Sequence, residues 1–343
     1  MSLIGSAIDV VERLPLPDSV LRAGVDYLVT RTRNRLRMTP AGTVDAFAQG
    51  MAQYPIAIHA REANAQHYEV PARFFELTLG PRRKYSCCYY ETPETTLARA
   101  ETHALEETVL HAALANGQEV LELGCGWGSL SLFMAEQYPA SRITAVSNSA
   151  SQRVFIETEA ARRGLTNLTV ITADMNDFVT ERRFDRIVSV EMFEHMSNWR
   201  LLLARLREWL VEDGRVFIHI FTHRTQPYRF DHADKSDWIA QHFFTGGIMP
   251  SRDLMHGFPD LFDVEAEWAW NGMHYQRTAT DWLRNFDARR AAIDPVLRET
   301  YGDAAALWAR RWRLFFLATE GLFGNDLGRE WGVTHYRLKP SKA

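Results

Sequence analysis

The sequence predicts an α/β protein: a doubly wound parallel sheet with a helical segment before it and a helical cap after it. From Gln118 onward, short apolar runs alternate with helix-like stretches: EVLELG, SLSLFMAEQY, RITAVS, SASQRVFIETEAARRG, LTVITAD, FDRIVSVEMFEHM, NWRLLLARLREWL and RVFIHIF. That βαβα order implies parallel strands with helices on both faces of the sheet. Gly124, Gly126 and Gly128 stand at alternate positions where the first strand gives way to a helix, a spacing that leaves bare backbone for a ligand. With 343 residues, 46% of them apolar and 24% charged, the chain can bury the core of one large domain with helical additions.

Residues 1 to about 60 predict helix, with Leu21, Val25, Leu28, Val29 and Leu36 at roughly helical spacing before Pro40. We take 1–64 as a helical N-terminal segment and 65–343 as the main domain, its core at about 116–222 and an aromatic-rich cap at about 223–343. The basic run Arg31, Arg33, Arg35 and Arg37 fits either a solvated helix face or peripheral contact with an acidic membrane surface. Of the 40 aromatic residues, 21 fall within 221–343, which fits a cap over an apolar or cationic substrate or an ordinary aromatic core. Parallel sheets bind ligands beyond the carboxyl ends of their strands, so the loops after Leu123, Val146, Ala173 and Val190 are where a site is expected.

Composition excludes several classes. Thirty-nine Lys and Arg against 43 Asp and Glu give a formal charge of -4, which speaks against a nucleic-acid partner. Cys87, Cys88 and Cys125 form no CxxC or Cys/His metal spacing, so we expect no metal site and a reducing, cytoplasmic location. No charged-then-apolar leader and no spanning apolar stretch is visible. A dinucleotide fingerprint needs a glycine five places after its first, and position 129 is serine. A glycine turn that only packs helix on strand is the competing reading of this loop.

The Glu122-x-Gly124-x-Gly126-x-Gly128 pattern resembles the S-adenosylmethionine site of class I methyltransferases, whose core is Rossmann-like. Where most of them carry an acid after the second strand, this chain has Ser147, Asn148 and Ser149, followed by Gln152. That is the pattern of one subgroup, the cyclopropane fatty-acyl-phospholipid synthases and the similar plant coclaurine N-methyltransferases. HYEVPARFFEL, KYSCCYY, GCGWGSLSL, SNSASQ, FDRIVSVEMFEHM, HIFTH, DWIAQHFFTGGIMPS and NGMHYQRT extend the resemblance over most of the chain from about residue 65.

The resemblance implies a cofactor set of Tyr85, Ser86, Glu122, Gly124, Gly126, Ser147, Asn148, Gln152, Asp174, Met175 and Asn176. Tyr85 and Ser86 would cover the methionine part, Ser147 and Gln152 reach the ribose and adenosine, and Met175 with Asn176 flank adenine. In the synthases a bicarbonate ion is held by residues matching Cys87, Glu194, His219 and Tyr275. In the N-methyltransferases the acid-base set is E-x-x-E-H, here Glu191, Glu194 and His195. Synthases generally carry a small residue at the first of those positions, so Glu191 tilts the match toward a small, ring-containing amine rather than an unsaturated acyl-lipid.

The chemistry can be argued without the family. An alkylamine is protonated near neutral pH and has no lone pair to offer, so a carboxylate or imidazole must take its proton. Glu191, Glu194 and His195 suit that need. Two carboxylates three residues apart also attract a cation and raise each other's proton affinity. The plainer alternative makes one a helix N-terminal acid and the other a ribose ligand. Cys87 is not expected to act as a nucleophile, since direct transfer has no covalent step for it to perform.

Overall fold

The computed structural model describes residues 11–14, 16–40, 42–58, 70–234 and 237–342. The expected boundary at residues 64 and 65, and the first ten residues of the N-terminal segment, lie outside them. Helices α1 (Asp18–Arg37), α2 (Thr43–Gly50), α3 (Ala72–Thr78) and α4 (Leu97–His111) precede the sheet. Then come β1 (Glu119–Leu123), α5 (Ser129–Gln137), β2 (Arg142–Ser147), α6 (Ala150–Arg162), β3 (Leu168–Thr172), β4 (Phe184–Val190), α7 (Trp199–Trp209) and β5 (Leu210–His223). The remainder holds β6 (Tyr228–Arg229), α8 (Trp238–His242), β7 (Ile248–Met249), β8 (Phe262–Asn271), α9 (Met273–Ala288), α10 (Arg290–Tyr301), α11 (Ala305–Gly324) and β9 (Trp331–Pro340).

The main sheet has seven strands in the order β3-β2-β1-β4-β5-β9-β8. β1 to β5 are parallel, while β9 runs antiparallel to both β5 and β8. β1 lies between β2 and β4, so the chain reverses its winding there and opens a crevice beyond the strands' carboxyl ends. This is the α/β, doubly wound architecture that the sequence predicts.

The sheet does not end near residue 222, because β8 and β9 from the aromatic-rich region complete it. β8 reads FDVEAEWAWN, a period-two alternation of apolar and other residues, as a half-buried edge strand requires. Counting aromatic residues over the whole region hides that period. Helices still make the rest of the cap. α9 buries Tyr275, Thr278, Ala279, Trp282, Leu283 and Phe286, one stripe at helical spacing. Phe243, Trp282, Trp312 and Phe316 are almost wholly buried, and Phe243 stacks on Phe315 with ring centroids 4.4 Å apart. These rings make an ordinary core, each worth roughly 1.5–3 kcal/mol of apolar burial.

α1 packs along α11, tied by Arg22 to Glu320 at 2.6 Å and by Arg313 to Asp18 at 2.7 Å. Within the basic run, Arg33 donates to Asn325 Oδ1 at 3.1 Å and Arg37 pairs with Glu330. Half of that run therefore turns onto the C-terminal part of the same chain. Among the described residues no helix is long and apolar enough to cross a membrane.

Candidate active site

The glycine loop lies where β1 meets the crevice, and its glycines serve different ends. Gly124, Gly126 and Gly128 all have positive φ, at 80°, 51° and 77°, which L side chains rarely adopt. A Cβ on Gly124 would meet Met192 Cβ at 2.7 Å, and one on Gly128 would meet Ile156 Cγ1 at 2.6 Å. A Cβ on Gly126 would meet nothing within 4 Å. Packing thus forbids side chains at the outer two, while the middle one fronts open space. The N–H groups of Gly124 and Cys125 donate to Val146 O at 2.9 and 3.1 Å, pinning the loop to the end of β2.

That space is an open cleft of about 710 Å³, counting the solvent at its mouth. Gly124, Gly126, Ser147, Asn148, Gln152, Asp174, Met175 and His195 line it, joined by Ala57, Ile58, Met192 and Thr245, which sequence reasoning missed. Ser147 Oγ donates to Gln152 Oε1 at 2.6 Å and accepts from Ser149 N at 3.1 Å. This fixes the Gln152 amide while its Nε2, wholly buried, finds no partner among the described residues. A buried N–H left over at a cavity wall fits a ligand that brings an acceptor.

Four residues of the expected cofactor set stand away from the cavity wall. Asn176 donates to and accepts from the backbone of Ala57, at 3.0 and 3.1 Å, and so braces the wall from behind. Glu122 accepts from Ser131 Oγ of α5 at 2.5 Å, and burial pushes its carboxyl up to about 8 against that bond. Tyr85 packs between Phe75 and Trp282. Ser86 Oγ accepts from the buried ammonium of Lys84 at 2.5 Å, and the same ammonium donates to Cys87 O at 2.6 Å.

The loop after β4 carries the carboxylates. Glu191 has φ +47°, a strained conformation for a long side chain, and its N–H donates to His219 O at 2.8 Å. Its Oε1 accepts from Cys87 N at 2.9 Å and lies 3.2 Å from His219 Nε2, and its Oε2 accepts from Tyr275 OH at 2.6 Å. Cys87 contributes its backbone N–H here. Its thiol lies 3.4 Å from Cys88 O and burial holds it protonated by pushing its pKa up.

Glu194 sits in the short turn Phe193–His195. It is 1% exposed, and its Oε2 has no partner among the described residues. Burial first, then the nearby charge of Glu191, raises its carboxyl well above the usual range. Burial also raises Glu191, opposed by the Lys84 ammonium. The ring of His195 borders the cavity and stacks on Phe244 with centroids 5.2 Å apart. The E-x-x-E-H residues therefore differ in kind: one carboxylate is tied into the fold, one has an oxygen to spare, and the imidazole faces the crevice. Sequence reasoning missed Lys84, although the partners of its ammonium lie only two and three residues along the chain.

The family model for mycolic acid cyclopropane synthetase matches residues 57–327. The chain belongs to that family. It is an S-adenosylmethionine-dependent methyltransferase. This synthetase-family chain is 37% identical over 294 residues to (S)-coclaurine N-methyltransferase of Thalictrum flavum subsp. glaucum, across 84% of this chain and 81% of that one. It is 28% identical over 275 residues to the cyclopropane-fatty-acyl-phospholipid synthase of Escherichia coli (strain K12), across 79% and 67%. A crystal structure of coclaurine N-methyltransferase bound to N-methylheliamine and SAH superposes with TM-score 0.92 at 32% identity, covering 98% of this chain and 100% of that one.

Proposed function

We propose that this protein N-methylates a small ring-containing amine, with Glu194 and His195 facing the acceptor and Glu191 tuning them. The observation that carries the reading is Glu194 Oε2, an acceptor buried without a partner among the described residues. Once ionised, a buried carboxylate oxygen of raised proton affinity suits a cationic N–H, whose proton it takes. His195, stacked on Phe244, gives the amine a flat wall.

For the cofactor, Gly124 and Gly126 would hold the chain-like part, Ser147, Asn148 and Gln152 the sugar, and Asp174 with Met175 the base. The vacant space at Gly126 and the spare Gln152 Nε2 fit such a ligand. When bound, S-adenosylmethionine supplies one electrophilic methyl group. The residues of the chain align the amine in line with it, exclude water and remove a proton.

The lipid alternative needs bicarbonate. Here the Glu191 carboxylate already holds Cys87 N, His219 Nε2 and Tyr275 OH, from three of the four residues that the resemblance assigns to that ion. A tethered carboxylate takes the role of the exchangeable anion, which favours the amine. The test is a screen of cyclic amines and dispersed unsaturated phospholipids with isotope-labelled cofactor, read by product mass. Labelled N-methyl amines are expected; labelled cyclopropane lipid with no amine product would replace this reading with the lipid one.

A further inference from the structure

Amine methylation releases one proton per turnover. A protonated amine gives its proton to a carboxylate, its lone pair forms the new N–C bond, and the C–S electron pair stays on sulfur. The N-methyl product leaves as a cation, so the carboxylate must shed that proton before it can serve again. Glu194 is 1% exposed and the Glu191 side chain 8%, which restricts direct exchange with solvent.

A chain of imidazoles leads away from them. His219 Nε2 lies 3.2 Å from Glu191 Oε1, and its other nitrogen, Nδ1, lies 2.7 Å from His335 Nε2. His335 Nδ1 lies 2.8 Å from His111 Nδ1, and His111 Nε2 lies 3.2 Å from Glu107 Oε2. Every ring thus meets its inner neighbour with one nitrogen and its outer neighbour with the other. The Glu107 side chain is 35% exposed, which makes it the outlet. His219 and His335 are cross-strand partners on β5 and β9, and His111 closes α4, where it stacks on Trp268 with centroids 3.9 Å apart.

We propose that His219, His335 and His111 form a proton relay that carries the amine's proton from the Glu191–Glu194 pair to Glu107 and solvent. The proton count fits. Three neutral imidazoles bring three N–H groups to four links, and the amine's proton, handed on by Glu194 to the neighbouring Glu191 carboxylate, supplies the fourth, all pointing outward. Shifting each across its own link leaves Glu191 ionised and the proton on Glu107. The charged and titratable groups around the path agree with transfer rather than storage. Lys84, Cys87, Tyr275 and Glu194 surround the inner end, and Arg337, donating to His111 O at 3.2 Å, stands at the outer end. Burial lowers the proton affinity of His219 and His335 and brings His111 to about 4, so no ring retains the proton.

The relay rests on the amine reading, and the experiment separates the two. Turnover of an amine identified in the screen is compared for the whole protein, His335→Gln and His111→Ala, with cofactor affinity measured by calorimetry. His111→Ala opens a slot near the surface that free imidazole can fill. We expect kcat to fall about ten- to hundredfold in both variants with cofactor affinity kept, and imidazole to restore His111→Ala saturably while leaving the wild type unchanged. If His335→Gln does not fold, His111→Ala decides alone. Full kcat in His111→Ala, or a loss that imidazole leaves untouched, overturns the relay. A wild type that methylates lipid and no amine overturns the amine reading and the relay with it.

Discussion

On the β1–β2 side of the crevice the wall is mostly backbone and short polar side chains, supplied by two stretches close in sequence around Gly124 and Ser147. Behind the β4 side, where Met192, His195 and Met196 line the crevice, lies a buried polar cluster of Lys84, Glu191, Glu194, His219, Tyr275 and the Cys87 N–H, which converge from distant parts of the chain. The difference predicts how each side fails. A wall made of backbone is damaged by added bulk and is indifferent to pH. A side backed by buried charges is damaged by loss of a charge and follows pH, because burial has moved its carboxyls away from their ordinary range.

Glu194→Gln should give the largest effect and break only the second side. It keeps the shape and removes the proton acceptor, so kcat should fall by about 10²- to 10⁴-fold while cofactor affinity holds. Steady-state kinetics with calorimetry checks both. In the wild type, kcat should rise with pH, since the base works ionised and burial raises both Glu191 and Glu194. The apparent pKa belongs to the coupled set rather than to one residue, and its rise should flatten in Glu194→Gln.

Glu191→Gly comes next, and it sharpens the contrast with lipid-type sites. It frees Cys87 N, His219 Nε2 and Tyr275 OH together, and leaves buried donors unsatisfied. Amine turnover should drop roughly tenfold to a hundredfold, and added bicarbonate should restore part of it by filling the vacated place. A variant as active as the wild type would make the carboxylate dispensable.

The two sides were also unequally legible in the sequence. The glycine loop, Ser147, Gln152 and Met175 follow strands in a fixed order, so their meeting at one crevice follows from the winding alone. His219 and His335 lie 116 residues apart, and nothing in WGVTHYRLKP marks its histidine as anything but a strand residue. β8 and β9 were missed for the same reason: antiparallel strands appended to a parallel sheet lack the βαβ signal. Glu122 is the converse case. A motif places it beside the glycines, yet strand side chains alternate faces, and Glu122 meets Ser131 of α5.

Gly126→Val tests the backbone-built side. Nothing lies within 4 Å of an added Cβ, so the cost to the fold is chiefly the strain of a β-branched residue at positive φ, roughly 1–2 kcal/mol, while the side chain enters the ligand's space. Cofactor affinity should weaken by about tenfold or more, since 1.4 kcal/mol of overlap is already a factor of ten. Gly128→Ala should do the reverse, because its Cβ strikes Ile156: melting temperature falls and the cavity stays open. Calorimetry and thermal melts on the two variants separate the outcomes.

The last test is at Glu122, where a titratable carboxyl is buried on the otherwise pH-indifferent side. Its carboxyl rises from 4.5 to about 8 through burial, against the single bond from Ser131. A group whose folded pKa exceeds its unfolded one binds its proton more tightly when folded. The associated stability is therefore complete below about pH 4.5 and is lost progressively as pH climbs toward 8. The slope is up to about 1.4 kcal/mol per pH unit from this one group. Glu122→Gln cannot ionise, and its amide oxygen can still accept from Ser131. Urea midpoints measured from about pH 5 to 8 should thus fall more steeply for the wild type than for Glu122→Gln, with the variant gaining most at the alkaline end. Parallel curves across that range would mean that Glu122 is ionised in the folded protein with a cation or solvent beside it, and the β1–β2 side would then carry a charge of its own.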